Sequence, residues 1–83
     1  MANERWLRCK VESGMMQGEY AIGVQTVNGE VSLFAPKNVV DSQNKLLKVN
    51  VLEQQENKSL IYLPSNSFEY GSRFVTVLKN ELK

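Results

Sequence analysis

Tyr20-Ala-Ile-Gly-Val-Gln-Thr-Val-Asn-Gly-Glu-Val-Ser-Leu-Phe-Ala-Pro36 is the stretch that decides the fold. It holds two β-rich runs around Asn28-Gly29. Asn-Gly suits the two-residue turn of a hairpin, whose central residues need positive φ. With that turn, Val27 faces Glu30, Thr26 faces Val31, Val24 faces Leu33, Gly23 faces Phe34 and Ile22 faces Ala35. One face of the hairpin is then Ile22, Val24, Val31, Leu33 and Ala35, with Thr26 at its end. An apolar face and a turn signal that agree on one pairing make a hairpin the natural reading. The pairing also lays Phe34 over Gly23, covering backbone that the glycine leaves bare. Pro36 has no N–H to donate, so the second strand ends there or lies at an edge.

The same period of two extends outward on both sides. Leu7, Cys9 and Val11 alternate with Arg8, Lys10 and Glu12 over residues 6–12, predicting one half-buried strand. Residues 13–19 carry Gly14 and Gly18 and read as a loop. Residues 37–45 are polar apart from Val39-Val40 and read as a loop with room for one short turn of helix. Residues 46–53 place Leu47, Val49 and Val51 on one face, and residues 58–63 are the strand that pairs with them. Residues 64–72 are rich in turn formers and long for a connection, a pattern found in functional or weakly ordered loops. Residues 73–79 are the last strand.

Six short strands with no convincing helix predict an all-β fold, a small antiparallel barrel of five or six strands. An SH3-like barrel is the first expectation. An OB-like barrel is the second, and would want a helix near residues 37–45. The 83 residues suffice for one domain, spanning 1–83, with residues 1–4 and 80–83 expected to fray.

Composition narrows the function classes. Ten basic and nine acidic residues leave a net charge of +1, too little to steer a polyanion over long range. There is no histidine, which excludes the Ser-His-Asp triad, the Cys-His pair and imidazole metal ligation. Cys9 is the only cysteine, so neither an internal disulfide nor a multi-cysteine zinc site can form. Flanked in sequence by Arg8 and Lys10 but facing away from them, Cys9 reads as a buried, inert thiol. The eight glutamates and Asp41 are scattered, with no metal-loop spacing. No catalytic residues, metal ligands or cofactor site are expected, so the chain reads as no enzyme. The N-terminus has no apolar stretch after its charges, and no run approaches the roughly twenty apolar residues of a membrane span. With its lone cysteine, the chain is expected in the cytoplasm.

Three groups stand out for binding. Trp6, Arg8 and Lys10 project from one strand on one side, an aromatic beside two cations, as on single-stranded nucleic-acid platforms. Lys37, Lys45 and Lys48 would add backbone contacts. The plainer role is for Trp6 to cover a barrel end while both cations are solvated. Phe68 and Tyr70, with Arg73 beside them, would anchor a partner protein from a loop. Their plainer role is for Phe68 to plug the open barrel end and Tyr70 to pack on Phe74. Met15 and Met16 suit an adaptable binding loop, although one of them is expected to fill a core gap. The leading expectation is a protein-interaction module or small accessory subunit. The alternative is a weak single-stranded nucleic-acid binder. Self-association through open β edges is a further expectation.

Overall fold

Eight strands, the longer ones alternating buried with less buried side chains, form in a computed structural model that describes residues 3–83. The strands are β1 (Glu4–Arg8), β2 (Lys10–Ser13), β3 (Glu19–Thr26), β4 (Gly29–Pro36), β5 (Val40–Asp41), β6 (Leu46–Gln54), β7 (Lys58–Tyr62) and β8 (Phe74–Leu78). Single 3₁₀ turns lie at Lys37–Val39 and Lys79–Glu81. The fold is all-β, in two antiparallel sheets: β1-β6-β7-β8, with β5 also on β6, and β2-β3-β4.

The hairpin forms as β3 and β4, and its expected inner face is buried throughout: Ile22, Val24, Thr26, Val31, Leu33 and Ala35. Its register differs from the expected one by two residues. Val24 faces Val31, Ile22 faces Leu33 and Thr26 faces Gly29. The loop is therefore Val27-Asn28, and only Gly29 takes a positive φ there, +114°. Two forces select this turn. Thr26 Oγ1 donates to the Gly29 carbonyl at 2.6 Å and accepts the Asn28 N–H at 3.1 Å. Val27 N–H leaves the hairpin and donates to the Thr76 carbonyl at 2.9 Å. A slip of two preserves which face each side chain occupies, so burial could not tell the two registers apart. Phe34 thus lies opposite Ala21, and Gly23 opposite Ser32. What fills the space over Gly23 is the Lys10–Glu30 ion pair, at 3.0 Å. A Cβ on Gly23 would come within 2.9 Å of Glu30 Oε2.

The single strand expected over residues 6–12 breaks at Cys9. β1 pairs with β6, whereas β2 pairs with β3. At the break, Cys9 N–H donates out of the ladder to the Lys45 carbonyl, at 3.1 Å. One stretch of chain thereby feeds both sheets. The core between them is one cluster that includes Leu7, Val24, Leu33, Leu47, Ile61, Leu63 and Val77, all fully buried. Residues 37–45 hold the short turn and β5. Leu52 is an extra residue in β6, since Val51 faces Ile61 and Glu53 faces Leu60.

The C-terminal tail, expected to fray, is paired with β1. Leu82 bridges to Leu7, Lys83 N–H donates to the Trp6 carbonyl at 2.8 Å, and Arg5 Nε donates to the Lys83 carbonyl at 2.9 Å. The outer edge of β1 would otherwise present unpaired groups, and the tail covers it. At the other end, Glu4 pairs with Asn50 and the Asn3 carbonyl accepts the Val51 N–H at 2.8 Å. Of the residues expected to fray there, Met1 and Ala2 lie outside the described residues.

Candidate binding site

The long connection between β7 and β8 is laid along the free edge of β4 as a strap. Ser65 Oγ donates to the Phe34 carbonyl, and Phe68 N–H donates to the Ser32 carbonyl at 2.8 Å. The Glu69 carboxylate accepts Ser32 N–H at 2.7 Å and Ser32 Oγ–H at 3.0 Å. These bonds to the ionised form hold the Glu69 carboxyl below its ordinary pKa of 4.5, the Ser32 N–H contributing most. Inside the strap, Ser67 N–H reaches the Ser72 carbonyl and Gly71 N–H reaches the Ser67 carbonyl. Gly71 supplies a φ of +62° that closes this turn. The turn-rich composition of residues 64–72 is thus spent on a tight, edge-covering loop.

The strap sets its aromatics outward. Phe68 is 60% exposed and Tyr70 58% exposed. Phe68 does not plug the end of the core; its ring stands edge-on to Phe34, with centroids 5.1 Å apart. Phe74 is 56% exposed. Val75 and Val77 take the inner face of β8, so Phe74 and Thr76 face out. Tyr70, Phe74, Leu60 and Thr76 line a shared cleft of about 250 Å³ beside the hairpin tip. Exposed rings grouped around a cleft provide large apolar area at small cost in ordering.

The other expected residues fall elsewhere. Arg73 lies by Tyr62, its guanidinium 5.5 Å from the ring centre, and the Phe74 ring packs on the same tyrosine with centroids 5.1 Å apart. Met15 and Met16, at 87% and 72% exposure, are both out in the 14–18 loop, so neither fills a core gap. Trp6 and Arg8 stay together on β1, but Lys10 belongs to the other sheet and is engaged by Glu30. The trio is therefore not one platform. Trp6 has a different companion, Lys48, its cross-strand partner on β6, whose Nζ lies 5.7 Å from the ring centre. Lys37 lies over Tyr20 instead, at 5.5 Å.

Cys9 is half-buried, and burial raises its thiol pKa to about 11 despite the nearby Lys45 cation. A thiol so raised stays mostly protonated near neutrality, the less nucleophilic form. Asp41 is held below its ordinary pKa of 3.8 by the Asn44 side-chain amide and N–H, a local turn contact. Among the described residues no three His, Cys, Asp or Glu side chains converge as metal ligands. No helix is long and apolar enough to cross a membrane among the described residues.

Phe74 and Tyr62 were missed as candidate binding residues, and Lys48, expected as a nucleic-acid backbone contact, was not joined to Trp6. Two signals were present: the alternation of Val75 and Val77 puts Phe74 outward, and that of Leu47, Val49 and Val51 does the same for Lys48. What alternation could not supply was the cross-strand pairing that joins Lys48 to Trp6. Comparisons with family models, with curated proteins and with solved structures find no match to this chain.

Proposed function

We propose that this chain is a non-enzymatic binding module, or small accessory subunit, whose partner is another protein. One observation carries the reading. Phe68, Tyr70 and Phe74, three of the chain's seven aromatics, are more than half exposed on or beside one hydrogen-bonded strap. Large rings kept in water, two of them here around one cleft, are the usual anchors of protein interfaces. The two sheets sharing one kinked strand are read as a small barrel, SH3-like in preference to OB-like, since residues 37–45 hold a 3₁₀ turn where an OB fold would want a helix. A lone, protonated thiol fits a reducing, cytoplasmic setting. Self-association by strand pairing is the weaker proposal, because tail, strap and hairpin tip engage the edges of β1, β4 and β8.

The test is affinity capture from native extract at low and high salt, using the wild-type chain and a Tyr70→Ser/Phe74→Ser double variant. Salt-resistant capture of a protein, lost in the variant, supports the proposal. Capture that the variant leaves unchanged, or of nucleic acid alone, sinks it.

A second reading rests on a separate observation. Lys48 sits by Trp6 and Arg73 by Tyr62, two cation–ring pairs on one sheet. Such pairs suit a single-stranded nucleic acid, with rings for bases and cations for phosphates. Trp6 fluorescence during titration with short single-stranded DNA and RNA at low salt decides it, and a flat response ends that reading.

A further inference from the structure

The edge of β6 that faces β5 and β7 is covered in two pieces. β5 pairs with it at Leu46 and Leu47, and β7 takes over at Asn50. Lys48 and Val49 have no ladder partner on that edge, and a cleft of about 190 Å³ opens there. Val39, Leu63 and Pro64 give it apolar walls, while Lys48, Arg73 and Glu4 bring charge. Asn50 lines the same cleft, and its side-chain Oδ1 is buried with no hydrogen-bond partner among the described residues. Buried acceptors are nearly always satisfied, so an orphan in a polar cleft marks a place for a donor.

The charges are only loosely engaged. Arg73 lies by the Tyr62 ring, its Nη1 donating to the tyrosine hydroxyl at 3.4 Å, and has no carboxylate within ion-pair distance among the described residues. The nearest carboxylate to Lys48 is Glu4, at a long 3.9 Å. Two cations against one rim carboxylate leave the cleft net positive, and a guanidinium braced by a ring is well arranged to hold an oxyanion.

We infer that this cleft binds a small oxyanion that also carries an N–H or O–H donor. Arg73 and Lys48 take the anion, and the Asn50 side chain, turning its Oδ1 into the cleft, takes the donor. The volume corresponds to a few water molecules at roughly 30 Å³ each, enough for hydrogenphosphate or a carboxylate with its neighbouring amide. It is too small for a drug-sized ligand. The inference is independent of the Tyr70–Phe74 cleft and stands or falls without it.

The experiment is an amide-detected NMR titration of the full chain. Hydrogenphosphate and N-acetylglycine are the probes, with acetate and chloride at matched ionic strength as references. Saturable shifts confined to residues 48–50, 62–64 and 73 are expected for at least one probe. Saturation by phosphate alone assigns a phosphate site, and by N-acetylglycine alone a carboxylate site. Arg73→Gln should weaken binding about tenfold or more, the usual loss for a charged hydrogen bond. Glu4→Gln should tighten it, and Asn50→Leu should erase the advantage of either probe over acetate. Should Arg73→Gln fail to fold, Arg73→Lys replaces it and should weaken binding by losing the planar fork. Shifts spread over all lysines and matched by chloride, no saturation with either probe, or binding unchanged in the Arg73 variant would each overturn the inference.

Discussion

Ser59 shows how little a residue's type reveals about its surroundings. It is 1% exposed on β7, opposite Val77, and its hydroxyl has no hydrogen-bond partner among the described residues. A buried, unsatisfied hydroxyl costs about 1–3 kcal/mol, whereas removing it leaves only a small void. Ser59→Ala should therefore leave stability unchanged or raise it by about 1 kcal/mol, read as a higher urea midpoint at constant slope. A loss of 1 kcal/mol or more would show that the hydroxyl is satisfied in solution. At this scale the sequence was legible in the core and poorly legible at the surface. Leu7, Leu47 and Val49 were placed by alternation alone and are buried. Phe68 and one of Met15 and Met16 had a packing role as the plainer alternative to binding, but apolarity does not say whether a loop side chain finds a wall to lie against.

Among the elements, the strap depends most directly on pH. The ionised Glu69 accepts both groups of Ser32, so the folded state binds a proton more weakly than the unfolded state. That contribution is complete above the ordinary carboxyl pKa of 4.5 and is lost as pH falls through the lower, folded value. The amides of the strap should lose hydrogen-exchange protection below that range while β6 and β7 keep theirs. Glu69→Gln should remove the pH dependence; if the variant loosens with acid just as the wild type does, another group governs the strap. The C-terminal tail offers a second test of an edge cover. Deleting Leu82 and Lys83 removes the hydrogen bonds that join Lys83 to Trp6 and to Arg5, and the contact over Leu7. The expected cost is about 2 kcal/mol, from roughly 1 for the Trp6 bond and a similar amount for apolar exposure, the exposed Arg5 bond adding little. An unchanged urea midpoint would show the tail to be loose in solution. Both covers were invisible in the sequence for one reason: they join residues far apart in the chain. Hairpin partners are close, so β3–β4 and β6–β7 could be read; which loop covers which edge could not.

For the whole molecule, the all-β class followed from periodicity, and the division into two sheets did not. The break at Cys9 has no glycine or proline to announce it. It is set by Lys45, whose carbonyl draws the Cys9 N–H away from the ladder, 36 positions along the chain. The same remoteness hid the candidate sites. The Tyr70–Phe74 cleft needs the hairpin tip beside β8, and the Lys48–Arg73 cleft needs β5 and β7 to share one edge of β6. Each residue could be assigned to a face, but the meeting of faces is a property of topology.

The Arg5–Lys83 bond spans nearly the full length of the chain. Closing so large a loop is entropically unfavourable until much of the molecule already holds its ends near one another. The two local hairpins can close early, within microseconds for such units in isolation. The seam between the first strand and the last residues can be sealed only afterwards. Until then Leu7 and the backbone of β1 remain open to other chains, so this late seam is the point at which crowding during refolding would divert the protein into aggregates.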